Sequence, residues 1–445
     1  MTNNINYSSV SKPFIITAVI LLFIGSSIGS VWMMSIFGTA ALPKWIHGTS
    51  QLHKMLQMDG FLTLLIMGIG YMIVPRFRNI QLASAKLAYT SFLLILASLV
   101  LQSIQTVDSS KNLSLWIMVS RISGLTVFTI IVLWTLRIRP KLLGLSDYFI
   151  FLCLVALMAV NAIDLSGYRY FFTNSLIHIQ LWLLFPILMI FGIEYKTLPS
   201  FLGFIRPRKT SAIFSLVCIS ICMVSGLGYI IIADRLLPFS IIFNITLFAS
   251  ALTFASAIYA FGGFDNREIL RLIKGEKKAR YSFIVIHVKI SFLFLLTGIS
   301  MAFLYSLVYQ YFIFYDLVIH SIAIGFIGLT IGFIGLTIAL YLPLMLPPII
   351  GKVIRFTSLK KIPLFLIIIS LSIRTIADFI IAQPFYAYSS SFGYAHSSSL
   401  RMLTYFFGLS GWLIIAAMLV FVIMIHKSMN EVATMPGGSN TTNPL

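Results

Sequence analysis

The sequence predicts an all-α polytopic membrane protein of about twelve transmembrane helices with both termini cytoplasmic. Three observations lead there. The 445 residues are 59% hydrophobic and only 10% charged, with a mean hydropathy of +1.00, a composition foreign to soluble domains. Apolar stretches of roughly 18–30 residues recur along the whole chain, each long enough to span a bilayer as a helix. Lys and Arg gather in alternate connecting segments, the pattern that orients membrane helices.

In order, the expected spans are 13–36, 52–75, 84–104, 113–136, 146–163, 172–195, 210–232, 237–261, 281–306, 312–345, 361–382 and 400–426. The tenth is too long for a simple crossing and is expected to extend past the bilayer or to bend. With a cytoplasmic N-terminus, 22 of the 31 basic residues fall in inner segments. They include Arg76, Arg78 and Lys86, then Lys196, Arg206, Arg208 and Lys209, and a run from Arg267 to Arg280. The net charge of +19 is thereby a topology signal. Membrane lipid is the expected surrounding, weak attraction to anionic headgroups is a by-product, and no nucleic-acid partner is called for. No cleavable signal pattern precedes the first stretch, which is expected to be retained. Residues 1–429 read as a single transmembrane domain and 430–445, with Pro436, Gly437, Gly438 and Ser439, as a disordered tail. Cys153, Cys218 and Cys222 sit in apolar runs and offer neither a disulfide framework nor a CxxCH haem-attachment site.

Against this apolar background three histidines stand out. His53, His178 and His320 lie on the second, sixth and tenth stretches. All three stretches enter from the outer side on this topology. His53 is at the outer end, His178 roughly 9 Å in and His320 roughly 12 Å in, at 1.5 Å per residue. An ionisable side chain inside a bilayer is costly and marks a functional site by default. Three near one level read as nitrogen ligands converging on a metal or a haem iron. Taken singly, each could equally be a histidine bonded to a neighbouring helix. His47, His396, His287 and His426 fall in loops or at inner helix ends and carry no such reading.

Neighbouring residues extend the pattern. GFIGLTI occurs twice in succession, at 325–331 and 332–338, which lines Gly325, Gly328, Gly332 and Gly335 along one helix face. Such a stripe serves close helix packing or a flat wall against a macrocycle. On the second stretch His53, Gln57, Gly60 and Leu64 share a face. Asp59 points elsewhere, towards a neighbouring helix or as a proton-carrying carboxylate. Arg374 and Asp378, one turn apart on the eleventh stretch, are placed to pair. Arg121, eight residues into the fourth, has no partner identifiable from sequence. Arginine suits carboxylates, so Arg374 and Arg121 are candidate partners for haem propionates, with structural ion pairing as the alternative.

Twelve spans with histidines on helices two, six and ten resemble subunit I of the haem-copper oxidases. The local pattern is similar to that of the NnrS family, membrane haem proteins associated with nitric oxide metabolism. The second helix opens HKML at His53, continues with Gly60 and Phe61 and closes IMGIGYMIVP at 66–75. The sixth ends GIEYKTLPSF at 192–201, and the tenth carries HSIAIG at 320–325. The resemblance implies a haem-copper oxidase subunit I-like bundle holding one or two b-type haems on the outer side. His53 and His320 would be the axial pair and His178 a further iron or copper ligand. It also implies a response to nitric oxide or redox handling of a small diatomic, and exchange with an electron-transfer or complex partner, in the cell membrane.

The departures narrow the chemistry. Ile322 stands where oxygen reductases carry a second tenth-helix histidine. The run 211–232 holds no histidine pair for copper, and HIQLW at 178–182 replaces the motif that supplies the reactive tyrosine. Copper in such a site needs about three nitrogen ligands, so ordinary oxygen reduction and a copper centre are not expected, and whether the chain is an enzyme stays open. The tenth-helix exit, LPLMLPPIIGK at 342–352, also departs from the NnrS pattern. Two other readings stand beside the haem protein. One is a cofactor-free secondary transporter using Asp59, Arg121, Arg374 and Asp378 as a proton or ion path. The other is a redox-inactive subunit of a respiratory-type complex.

Overall fold

The structure, a computed structural model, describes residues 7–35, 49–108, 112–138, 143–165, 176–202, 205–232, 237–262, 276–307, 312–328, 358–387 and 398–433. With no water in the bilayer core, the backbone must satisfy its own hydrogen bonds, and the long apolar stretches do so as helices. Twelve follow one another among the described residues. They are α1 (Tyr7–Ser35), α2 (Thr49–Arg76), α3 (Ala85–Val107), α4 (Ser114–Arg137), α5 (Leu145–Leu165) and α6 (Leu176–Leu202). Then come α7 (Lys209–Ile232), α8 (Leu237–Ala257), α9 (Glu276–Leu307), α10 (Phe312–His320), α11 (Ile362–Ala387) and α12 (Ser398–Ala433). Nine of the described helices are long and apolar enough to cross a membrane, and the chain is a multi-pass membrane protein. α12 runs past the expected boundary at 430, and the rest of the expected tail lies outside the described residues.

Consecutive helices pack as neighbours, α3 with α4, α5 with α6, α7 with α8 and α11 with α12, and α1 closes the arrangement by packing on both α2 and α12. The most apolar window of α6 is 94% buried and that of α2 is 89% buried, whereas most other spans bury half of theirs or less. α6 and α2 are therefore the core of the bundle. The rest turn one face outward with residues such as Leu93, Val100, Trp134, Phe214 and Val224, the face that lipid covers. Within the core, Phe191 of α6 stacks on Phe254 of α8 with centroids 3.9 Å apart. Phe292 of α9 and Phe326, which follows α10, complete this aromatic cluster.

Two helices depart from regular α geometry. α2 widens into π-helical turns over Leu56–Leu62, just after His53, and α10 passes into the same geometry over Ser321–Gly328, directly after His320. The tenth stretch thus leaves the regular helix within its first half, and residues 329–345 of the expected span lie outside the described residues. Wide turns of this kind are frequent at functional sites.

At one end of the bundle basic residues are tied down. Arg78, after α2, bonds Asp147 at the start of α5 at 3.1 Å, and Lys196 near the end of α6 donates to the Phe77 carbonyl at 2.7 Å. These residues, expected to mark the inner side, also clamp α2, α5 and α6 together.

Candidate functional site

A cavity of about 570 Å³ opens among α1, α2, α6, α10, α11 and α12, within the roughly 300–1,000 Å³ typical of small-molecule and cofactor sites. Its walls are mainly apolar, with Leu22, Leu62, Leu183, Ile319, Ile324 and Phe407 among them. His53, His320, Asp316 and Arg374 line it as well. Two of the three histidines singled out by sequence, from helices eight elements apart, therefore share one space.

His53 is held by α1. Its Nδ1 lies 2.7 Å from the Gly25 carbonyl oxygen. A carbonyl can only accept, so Nδ1 carries the proton and Nε2 keeps its lone pair. The approach depends on a missing side chain. A Cβ at Gly29 would lie 2.5 Å from both Cε1 and Nδ1 of the ring, so only glycine lets α1 come this close. One turn on, Gln57 donates to the Leu22 carbonyl and the Ser26 hydroxyl, both at 3.2 Å. The shared face of His53, Gln57 and Gly60 is thus the face packed on α1, and Gly60 meets Leu21 there.

His320 is held by its own helix. Its Nδ1 lies 2.9 Å from the Asp316 carbonyl and 3.2 Å from Asp316 Oδ1. Both partners accept, so Nδ1 again holds the proton and Nε2 the lone pair. The Asp316 carboxylate also receives Arg374 from α11, Nε at 2.5 Å and Nη2 at 2.7 Å, while the guanidinium carbon sits 4.7 Å over the Phe407 ring. Arg374 keeps an electrostatic interaction with Asp378, the expected partner, but its forked bonds go to Asp316. A fork of two parallel bonds is stronger than a single contact, and Asp316 offers both oxygens across the helix interface. Asp378 is buried against Asp316 in the same group.

His178 and Arg121 lie elsewhere and do not line the cavity. His178 Nε2 is 3.0 Å from Asp164 Oδ1 on α5. Arg121 on α4 bonds Asp164 Oδ2 at 2.5 Å and reaches Asp59 on α2 at 3.6 Å. This buried cluster supplies the partner for Arg121 that sequence did not identify, and it places Asp59 as a bonding partner for a neighbouring helix. The charges considered as one transport path thus divide between two groups, Asp59 with Arg121 and Asp378 with Arg374.

The glycine stripe also divides. Gly325 faces Phe294 of α9, where a Cβ would come within 2.5 Å of the side chain, so it serves packing. Gly328 lines the cavity. Gly332, Gly335, His47 and His396 lie outside the described residues.

Four residues of these groups were not anticipated from the sequence. Asp316 was legible as the i−4 neighbour of His320. Gly25 and Gly29 belong to the small-residue run GSSIGS at 25–30, a signature of close helix approach. Asp164 had no local signal.

Among the described residues no three His, Cys, Asp or Glu side chains form a metal-binding group. A haem iron asks the protein for only two axial nitrogens, and the cavity offers two. No protein family and no curated protein matches the chain by sequence. In structure it is similar to a heme-copper terminal oxidase solved by cryo-EM as a dimer, with a TM-score of 0.64 and 12% identity over 99% of this chain and 86% of that one. The chain has a fold similar to that of a haem-copper oxidase.

Proposed function

We propose that this chain is a membrane haem protein that holds a b-type haem between His53 and His320, with both termini cytoplasmic and the site towards the outer face of the cell membrane. The observation that carries the reading is that both histidines line one cavity and each commits Nδ1–H to an oxygen, leaving Nε2 as a ligand nitrogen. Donation of the second ring nitrogen to a carbonyl or carboxylate is the usual way proteins fix a ligating histidine. The likeness to a heme-copper terminal oxidase agrees with it.

The chain's own residues do the following. Gly25 and Asp316 hold the two imidazoles in tautomer and orientation. The leucine, isoleucine and phenylalanine walls exclude water. Arg374 spends Nε and Nη2 on Asp316 and keeps Nη1 for a propionate. Arg121, already facing two carboxylates, is assigned to the ion cluster, and His178 with it. A haem held by these two histidines would supply one-electron exchange or a site for a diatomic such as nitric oxide. The NnrS-like role, handling nitric oxide or another small diatomic, belongs to this reading.

The absorption spectrum of purified, haem-supplemented protein tests it. The expected result is a Soret band with the sharp reduced bands of low-spin haem b, lost in His53→Ala and His320→Ala. No Soret band in the wild type overturns the reading, and substrate-dependent flux in liposomes would put a transporter in its place.

A further inference from the structure

The two cavity histidines are not held alike. His53 donates Nδ1–H to one neutral carbonyl. His320 donates Nδ1–H to the Asp316 carbonyl at 2.9 Å, and the carboxylate of the same residue lies 3.2 Å from that nitrogen. That carboxylate is 7% exposed as a side chain and is anchored by Arg374 through both oxygens. An anionic acceptor on Nδ1–H pushes electron density onto Nε2 and makes the imidazole a stronger donor.

We propose that Asp316 is a positioning residue that makes His320 the stronger of two unequal ligands and lowers the reduction potential of the group they hold, with Arg374 fixing the carboxylate in place. The inference rests on the haem reading above. Axial ligand character and the hydrogen bonds behind it are among the levers by which a protein sets haem potential. Asp316→Asn tests the effect. It keeps the backbone carbonyl, the shape and the α10 register, removes the charge, and replaces one of the two oxygens that Arg374 bonds with an NH2 group. Among the described residues His53 Nδ1 meets a carbonyl and no carboxylate within bonding distance, so the asymmetry lies in what stands behind the two rings, not in the histidines themselves.

The test is a spectroelectrochemical titration of haem-loaded wild type and Asp316→Asn. The midpoint potential is expected to rise in the variant while the Soret band stays low-spin. A second measurement needs no variant. In wild-type protein labelled with ¹⁵N-histidine, the infrared redox-difference spectrum is expected to show two separate ligand imidazole bands, one displaced by the anionic hydrogen bond. An unchanged potential in loaded Asp316→Asn overturns the inference and leaves the haem reading standing. Should that variant not fold, a single imidazole band in the wild type does the same. A wild type that takes up no haem overturns both.

Discussion

Asp316 meets Arg374 across the α10–α11 contact with both carboxylate oxygens, at 2.5 and 2.7 Å. The pair is buried and ties the helix of one cavity histidine to a helix 58 residues further along the chain. Removing one member of such a pair strands the other charge, at a cost of about 3–5 kcal/mol. Arg374→Met is therefore expected to destabilise the protein on that scale in detergent-based unfolding. The double variant Arg374→Met with Asp316→Leu should recover part of the loss, because neither charge of the pair is left without the other, while Asp378 stays in the group.

The Arg121–Asp164–His178 cluster is separate from the cavity. Asp164→Leu leaves Arg121 with the longer contact to Asp59 at 3.6 Å and is expected to cost up to about 3–5 kcal/mol. The protein that remains folded should keep the wild-type absorption spectrum. A changed Soret band in Asp164→Leu would instead bring His178 back as a ligand.

Gly29 sets the position of the His53 ring. Gly29→Ala places a methyl 2.5 Å from the imidazole, so the ring or α1 must move. Haem loading, read as the ratio of Soret to protein absorbance, should fall with no ligand removed. Gly228→Ala is the matched control. Its Cβ would lie 2.8 Å from the Phe239 ring, away from the cavity, and it is expected to lower stability while leaving the ratio unchanged.

The arrangement of basic residues predicts that a green fluorescent protein fused to the C-terminus fluoresces and that alkaline phosphatase fused there is inactive, since only the first folds on the cytoplasmic side. Fusions placed after residue 108, between α3 and α4 and on the side expected to be outer, should give the reverse.

Much of this architecture was legible in the chain itself. Twelve apolar stretches became twelve helices in the same order, because lipid leaves the backbone no other open solution. The grouping of His53 with His320 was anticipated as well, and both line one cavity. Rotation was less legible. A helix places side chains by 100° steps relative to one another, and which face meets which neighbour is settled by packing. Sequence therefore paired Arg374 with Asp378, its near neighbour on the same helix, while the folded chain turned it to Asp316 on another.

Composition and periodicity by themselves determined that the chain is a membrane-spanning helical bundle with ionisable groups inside it. Only the tertiary structure decided that His53 and His320 share a cavity while His178 joins Arg121 and Asp164. The physical reason is that these groupings depend on how α1 and α2 approach through Gly29 and how α10 and α11 meet through Asp316 and Arg374. Contacts between segments far apart in sequence leave no periodic trace in the sequence of either one.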